Sequence, residues 1–405
     1  MPAGTSLSGR RARLAQGVYL LGLAMLLVLS EVFSSSLQSS LPVFSRLARM
    51  ALTGGGAALL LVKCFVLTSY RDLRQMALTA IALGYAVFAS WYGGEPWFFL
   101  FVLAGLAAKD VDLRSAVRVY LAAAAGGLLL VQLLHFTTPL IPYKMYGRNW
   151  DFGYGHYNGY GARLLGVFFA WVWLRFPRLR WWDWAGLAAL FGYTMAVPGS
   201  RGAGIAMLLL LLLLALHRFA GRLFDTRAFR AAALAAPPVL AGFSLFAAWR
   251  FRADRPGATP LLARLDRLLS GRFEVWNHML FHTPLLHEGW TEVCEGRGLY
   301  WSLLGGFVTD GDSHHAIDNV YLALPMNKGL LGAALVMAAV LVLLRRLCRR
   351  RCTGELLCLL ALFCYLLMEN KPFLIAAHPF FLLAPLLLDA QAPVCPAASP
   401  RRAEP

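Results

Sequence analysis

The chain has 405 residues, of which 59% are hydrophobic and only 15% are charged. Soluble domains carry about 25% charged residues, so this composition excludes an ordinary soluble globular protein. The net charge of +17 is large enough for a nucleic-acid-binding protein, but the basic residues lie between apolar runs, and we expect no nucleic-acid partner.

Apolar runs recur along almost the whole chain, and most approach the roughly 17–25 residues that span a bilayer. They lack the strict alternation of a transmembrane β-barrel. The predicted fold class is therefore all-α, a polytopic membrane protein with about twelve transmembrane helices. The predicted spans are 17–33, 48–68, 75–91, 97–109, 117–135, 158–175, 184–198, 202–217, 229–249, 317–344, 354–369 and 372–389.

Basic residues are unevenly distributed between the predicted loops. They precede span one, follow spans two, four, six, eight and ten, and end the chain. Because cytoplasmic loops carry the excess of Lys and Arg, both termini are predicted to be cytoplasmic. The predicted organisation is a transmembrane bundle in 1–249, a long outward loop in 250–316 with short amphipathic helices, spans ten to twelve in 317–389 and a cytoplasmic tail in 390–405.

Another outward loop, 136–157, is crowded with aromatic residues and glycines. Four polar side chains stand out there and at the start of the next span: Lys144, Arg148, His156 and Asn158. Aromatic rings with amide and cationic donors suit sugar hydroxyls and phosphates, and we predict that this set binds substrate. The alternative is an aromatic belt at the membrane–water interface.

A single arginine, Arg201, lies between spans seven and eight in the stretch PGSRGAG. The predicted topology places this turn outward, where the positive-inside rule gives no reason for a basic residue. An arginine in hydrocarbon costs roughly 2.5–3.5 kcal/mol on insertion scales, and the small neighbours allow a ligand to approach closely. We predict a fixed cation at the floor of an outward cavity; the alternative is an arginine that reaches the outer lipid phosphates.

The long outward loop contains two predicted amphipathic helices. Leucines repeat at spacings of three and four over 261–269, and a second helix is predicted over 273–282. Arg272 stands where that second helix begins, and we predict that it binds an anion, because its planar guanidinium makes paired hydrogen bonds to a diphosphate. The alternative is a solvated arginine paired with Glu274 or Asp266.

The stretch DSHHAIDNVYLALPMNKGLLG, residues 312–332, closes the loop and opens predicted span ten. A helix capped at 312 or 313 places His314 and His315 in its first turn. There the positive field of the amide ends lowers the pKa of an imidazole and keeps the ring neutral near pH 7. Asp318 then shares a helix face with both histidines and fixes the tautomer of a catalytic base. The alternative is a polar helix end exposed to water.

A metal site is a further alternative for the same stretch. The side chains that supply oxygen and nitrogen donors are Asp310, Asp312, His314, His315 and Asp318. Their spacing matches no established metal signature, so we predict a site without metal or other cofactor.

Three stretches together resemble the superfamily of O-antigen ligases and O-antigen polymerases. They are PGSRGAG around Arg201, SGRFEVWNHML around Arg272, and HAIDNVYLALPMNKGLLG. The resemblance covers roughly residues 140–345, and the predicted topology of the whole chain agrees with it.

The third stretch is similar to the family frame His-Asn-x-x-Leu followed by Gly-x-x-Gly. The residues that fit this frame are Asn319, Leu322, Gly329 and Gly332. Asp318 stands where many members have His, and this departure leaves His315 or His314 as the base.

Members of this superfamily are inner-membrane glycosyltransferases that use polyprenyl-diphosphate-linked glycans. The resemblance implies a bacterial inner-membrane ligase whose active site faces the periplasm. It would move O-antigen from undecaprenyl diphosphate to a hydroxyl of lipid A-core, with inversion and without metal. In this reaction Arg201 and Arg272 neutralise the diphosphate, His315 or His314 is the base oriented by Asp318, and Asn319 binds substrate.

Other functions stay open. An O-antigen polymerase or a protein O-oligosaccharyltransferase of the same superfamily would use the same donor with a different acceptor. A lipid-linked glycan flippase would carry polar residues near the bilayer midplane, often within inverted repeats. Here the candidate residues gather on one predicted face, which favours an enzyme.

Overall fold

The computed structural model describes residues 4–92, 96–142, 145–251, 259–269, 271–282 and 318–392. Within these ranges the chain is mostly helical and has almost no strand. The helices are α1 (Gly4–Glu31), α2 (Leu37–Ser40), α3 (Pro42–Val62), α4 (Leu73–Tyr92), α5 (Pro96–Ala107), α6 (Leu113–Thr137), α7 (Tyr157–Arg175), α8 (Trp181–Ala196), α9 (Arg201–Ala220), α10 (Arg227–Arg250), α11 (Pro260–Leu268), α12 (Arg272–His282), α13 (Val320–Arg350), α14 (Thr353–Leu366) and α15 (Pro385–Leu388). A short antiparallel hairpin pairs β1 (Met145–Tyr146) with β2 (Asn149–Trp150).

The long helices define the class of the protein. In the described residues, seven helices are long and apolar enough to cross a membrane: Gly9–Glu31, Pro42–Leu67, Leu73–Trp91, Leu113–Thr137, Arg201–Asp225, Arg227–Arg250 and Val320–Arg350. Two shorter apolar helices, α5 and α14, accompany them. The chain is thus a multi-pass α-helical membrane protein, as predicted, whereas the count of about twelve spans is not confirmed.

The last predicted span, 372–389, is not a regular helix, and this prediction is wrong. Prolines stand at 372, 379 and 385, and each one removes a backbone donor and clashes with the preceding turn. The segment forms only the 3-10 turns Ile375–Ala377 and Phe380–Leu383, followed by α15. It is buried inside the bundle, where the Tyr120 hydroxyl donates a hydrogen bond of 2.9 Å to the Ala376 carbonyl.

This irregular segment still crosses the bundle. It starts after Glu369, which contacts Arg272 beside the beginning of α13. It ends at Asp389, whose carboxylate lies 3.2 Å from Arg71, while Arg350 at the end of α13 donates to the adjacent backbone. The segment therefore runs alongside α13 for the full depth of the molecule.

Gly166 of α7 lies where this segment passes. A Cβ atom at Gly166 would overlap the Ala376 carbonyl oxygen and lie 2.7 Å from the Tyr120 hydroxyl. Because the obstacle is backbone, we expect Gly166→Ala to lower the free energy of unfolding by about 1–3 kcal/mol, measured by thermal unfolding in detergent. Gly126→Ala in α6 is the control, since a Cβ there meets nothing within 4 Å. Equal melting temperatures for the two variants would contradict this packing.

Helix α13 bends at Gly329, one of the glycines of the Gly-x-x-Gly frame. Gly329 has a φ of +69°, which interrupts the helical geometry and which side chains other than glycine rarely adopt. The Tyr85 hydroxyl donates to the Lys328 carbonyl at 3.4 Å, next to the bend. At Gly332 a Cβ would lie 2.5 Å from the same hydroxyl. The positive φ of the bend thus accounts for Gly329, and packing against α4 accounts for Gly332.

The two helices predicted in the long loop are present as α11 and α12. Helix α12 packs against α10. A small apolar cluster joins Leu262, Phe273 and Trp276 to Ala248 and Leu322. This cluster fixes the beginning of α12 beside the beginning of α13.

One end of the bundle collects the helix ends that carry the candidate residues. Helix α1 ends there at Glu31, and α7, α9 and α13 begin there next to His156, Arg201 and Asn319. We call this end the site end. Arg71 lies at the opposite end.

Candidate active site

The turn before α12 places Arg272. Gly271 has a φ of +78°, and the Asp266 carboxylate accepts a hydrogen bond of 2.6 Å from the Phe273 amide. This bond caps α12 and occupies Asp266. Asp266 is therefore a helix cap rather than the ion-pair partner of a solvated Arg272.

The Arg272 guanidinium reaches between α13 and the end of α14. Its Nη1 lies 3.6 Å from the Asp318 carboxylate and donates to the Asp318 carbonyl at 3.1 Å. Its Nη2 lies 3.4 Å from Oε1 of Glu369, and Nη1 also donates to the Met368 carbonyl. These contacts fix the position of the Arg272 guanidinium, and part of the side chain remains exposed to solvent.

Glu369 is the buried acid of the site, with a side chain only 1% exposed. Burial raises the pKa of Glu369 to about 7, against the opposing effects of Lys371 and Arg272. The Lys371 ammonium lies 3.9 Å from the Glu369 carboxylate, and burial lowers the pKa of Lys371. The charge of this acid therefore changes near neutral pH.

Arg201 begins α9 beside the same acid. A Cβ atom at the next residue, Gly202, would lie 3.3 Å from Oε1 of Glu369, so the first turn of α9 passes directly over the carboxylate. Arg201 itself is exposed. The structure thus brings the regions of two predicted cations, Arg201 and Arg272, to one buried carboxylate.

The tight turn before Arg201 is locked to the β-hairpin and to α7. Gly199 has a φ of +63° and packs against the Asn149 side chain. The Ser200 hydroxyl donates a hydrogen bond of 3.1 Å to Oδ1 of Asn158. The aromatic loop and the Arg201 turn therefore form one wall of the site, although they are far apart in the sequence.

His156 caps α7 and faces the same charges. Its Nδ1 accepts a hydrogen bond of 3.2 Å from the Asn158 amide, which places the ring proton of a neutral imidazole on Nε2. Partial burial and then Lys371 lower the pKa of His156, and Asp318 opposes this effect. His156 is thus a neutral imidazole beside the cationic cluster.

A second buried ion pair lies deeper, and sequence reasoning missed it. Nε of Arg163 lies 3.2 Å from the Glu31 carboxylate, and its guanidinium stacks over the Tyr154 ring at 4.1 Å. Both charged side chains are almost fully buried. The signal was an arginine inside predicted span six, because ionisable residues within membrane helices usually have a function.

The predicted beginning of span ten is wrong. Helix α13 begins at Val320, and the Asn319 side chain caps it by accepting from the Tyr321 amide at 2.8 Å. Asp318 precedes the helix and lies on none of its faces, and it pairs with Arg272 instead. Asn319 is fully buried and donates to the Ser244 hydroxyl at 3.0 Å. It therefore stabilises the beginning of the helix and is not accessible to a substrate, although the sequence predicted that it binds one.

The remaining predicted residues are distributed as follows. Arg148 is exposed in the turn of the β-hairpin. Lys144, His314 and His315 lie outside the described residues, as do Asp310 and Asp312 of the alternative metal site. In the ranges that the structure describes, no group of three or more His, Cys, Asp or Glu side chains is arranged to hold a metal.

The geometry defines a multi-pass membrane protein with a charged cluster at one end of an apolar bundle. Comparison with protein families, with curated proteins and with solved structures finds no match for the chain.

Proposed function

We propose that this protein is an inverting, metal-independent glycosyltransferase, an O-antigen ligase. It moves O-antigen from undecaprenyl diphosphate to a hydroxyl of lipid A-core at the periplasmic face of the bacterial inner membrane. The observation that carries the proposal is the Arg272 fork, fixed by Asp318 and Glu369 beside the Arg201 turn at the mouth of a membrane-embedded bundle. The sequence stretches around both arginines support the same assignment.

The diphosphate leaving group determines what the cations do. The acceptor hydroxyl attacks the anomeric carbon, the bond from that carbon to the diphosphate oxygen breaks, and the configuration inverts. Negative charge then accumulates on the leaving diphosphate, which needs no proton donor once cations neutralise it. Arg272 and Arg201 supply this charge, and the first amides of α9 add to it.

The proton of the acceptor hydroxyl needs a base. His315, or His314, fills this role in the proposal, because these residues closely precede Asp318 in the chain, and Asp318 pairs with Arg272. Asp318 contributes by holding Arg272. His156 binds substrate from the wall that the aromatic loop and the Arg201 turn form.

The membrane orientation belongs to the same proposal. Basic clusters favour cytoplasmic termini, and the site end then faces the periplasm. Most of the charged residues of the site lie at the end of the bundle and not at its middle, which favours an enzyme over a flippase. The Arg163–Glu31 pair is buried more deeply than the others. An O-antigen polymerase or protein O-oligosaccharyltransferase differs only in its acceptor, so acceptor supply distinguishes them.

Glu369 gives the donor affinity a pH dependence. Its pKa is raised to about 7, so it is neutral below that pH and anionic above it. An anionic diphosphate binds better when the acid is neutral, and we expect the donor KM to fall about 3–10-fold from pH 8 to pH 6. Glu369→Gln should keep the low KM at both pH values. A wild-type KM that does not change with pH would remove Glu369 from donor binding.

Metal removal tests the electrostatic part of the mechanism. Two arginines supply the charge that a divalent ion supplies in other transferases, so we expect undiminished transfer in excess EDTA, measured with purified protein. Activity that requires Mg²⁺ or Mn²⁺, and that Asp310→Ala or Asp312→Ala removes, would support the metal alternative instead.

A further inference from the structure

A cavity of about 630 Å³ opens at the site end of α3, away from the candidate active site. Its lining includes the polar side chains of Gln38, Ser45 and Thr53 and two arginines, Arg46 and Arg49. Helix α2 separates it from the aromatic loop, to which the Ser36 amide is bound through the Gly153 carbonyl at 2.6 Å.

The cavity carries positive charge that the protein does not neutralise. Arg46 and Arg49 are three residues apart, so their side chains project from the same face of α3. Arg49 donates to the Gln38 amide oxygen at 2.7 Å. In the part of the chain that the structure describes, no ion pair joins either arginine to a carboxylate, and the residues that line the cavity include no acid.

The two arginines stand at the depth of lipid headgroups. Helix α3 begins the membrane span Pro42–Leu67, and at about 1.5 Å per residue Arg46 and Arg49 lie about 6 and 10 Å from its first residue. The same turns expose apolar side chains, with Leu47 62% and Met50 67% exposed. This combination matches the boundary between headgroups and acyl chains.

Membrane topology does not account for these arginines. Cytoplasmic ends carry the excess of basic residues, and Arg46 and Arg49 lie at the end opposite to Arg71. Their charge therefore requires another explanation, and a phosphate is the anion that paired guanidinium forks suit best.

We infer that this cavity binds the headgroup of an anionic phospholipid from the leaflet at the site end. Arg46 and Arg49 hold the phosphodiester, Thr53 offers a hydroxyl to the glycerol, and the acyl chains follow Leu47 and Met50. With no carboxylate in the lining, nothing holds a headgroup ammonium, so the site prefers phosphatidylglycerol to phosphatidylethanolamine. The inference rests on the membrane orientation of the proposed function and on none of its catalytic chemistry.

Native mass spectrometry of the full-length protein, delipidated in detergent and titrated with each phospholipid, tests this site. We expect phosphatidylglycerol to bind at least about tenfold more tightly than phosphatidylethanolamine. The double variant Arg46→Gln/Arg49→Gln should lose that preference, and the matched Lys pair should keep part of it. The control is Arg218→Gln/Arg222→Gln, two exposed arginines one turn apart at the opposite end, which should bind as wild type does.

Three results would overturn the assignment. The first is equal binding of the two phospholipids by wild type. The second is unchanged phosphatidylglycerol binding by the Gln pair. The third is displacement of phosphatidylglycerol by a phosphorylated disaccharide lipid at lower concentration, which would make a glycolipid the occupant.

Discussion

Arg272→Ala and Arg201→Ala are each expected to abolish or nearly abolish glycan transfer, with a rate loss of about 10²–10³-fold or more. In the proposed mechanism each removes a charge-assisted donor to the leaving diphosphate, and the loss of one such donor raises the barrier by about 2.7–4 kcal/mol. Product formation from a lipid-linked donor and lipid A-core measures the effect. Substitution by Lys should restore only part of the rate, since an ammonium cannot make the paired bonds of the fork.

Arg272 also binds backbone and carboxylate groups of its own protein, so loss of fold must be excluded. Arg267→Ala is the matched control, because Arg267 is exposed on the neighbouring α11 and should leave the rate unchanged. All variants should elute as wild type does in size-exclusion chromatography. Full transfer activity in either Ala variant would remove that arginine from the mechanism.

His315→Ala is expected to slow the chemical step by about 10²–10⁴-fold, the usual range for the loss of a general base. Donor binding should change little, because the arginines hold the diphosphate. The wild-type kcat should fall as the pH drops through the pKa of the base, about 6.5 for an ordinary imidazole, since protonation removes the acceptor lone pair. The donor KM should fall between pH 8 and pH 6 through Glu369, whose pKa is raised to about 7, so the pH profiles of kcat and KM distinguish the two groups.

Two further histidines complete this test. His314→Ala should be the milder change of the adjacent pair, and His156→Ala should raise the KM of the donor while kcat stays within about tenfold. A wild-type rate for His315→Ala beside an inactive His314→Ala would reverse the assignment. If both adjacent variants were fully active, the histidine base would be excluded, and His156 would be the next residue to examine.

The sequence predicted the parts of the fold that depend on local pattern. Apolar runs identified the membrane class, and the three-and-four leucine spacing identified α11. The position of Arg272 at the beginning of α12 followed from the glycine before it. These features need only a few neighbouring residues.

The partners of the charged residues were not predictable in the same way. Glu369 meets Arg272 across 97 residues of sequence, and Arg163 of α7 meets Glu31 at the end of α1. The segment 372–389 was assigned to a helix on hydropathy alone, although its three prolines argue against one. The beginning of α13 was misplaced because Asp312, Ser313 and Asn319 are all good caps, and only tertiary contact with Ser244 selects Asn319.

The central claim is enzymatic transfer onto lipid A-core, and a reconstituted reaction measures it most directly. Purified protein in detergent is incubated in EDTA with undecaprenyl-diphosphate-linked O-antigen and lipid A-core, and the products are separated and analysed by NMR. We expect lipid A-core that carries the glycan with inverted anomeric configuration, together with free undecaprenyl diphosphate. An intact donor, or glycan extended only on a second donor molecule, would contradict the assignment as an O-antigen ligase.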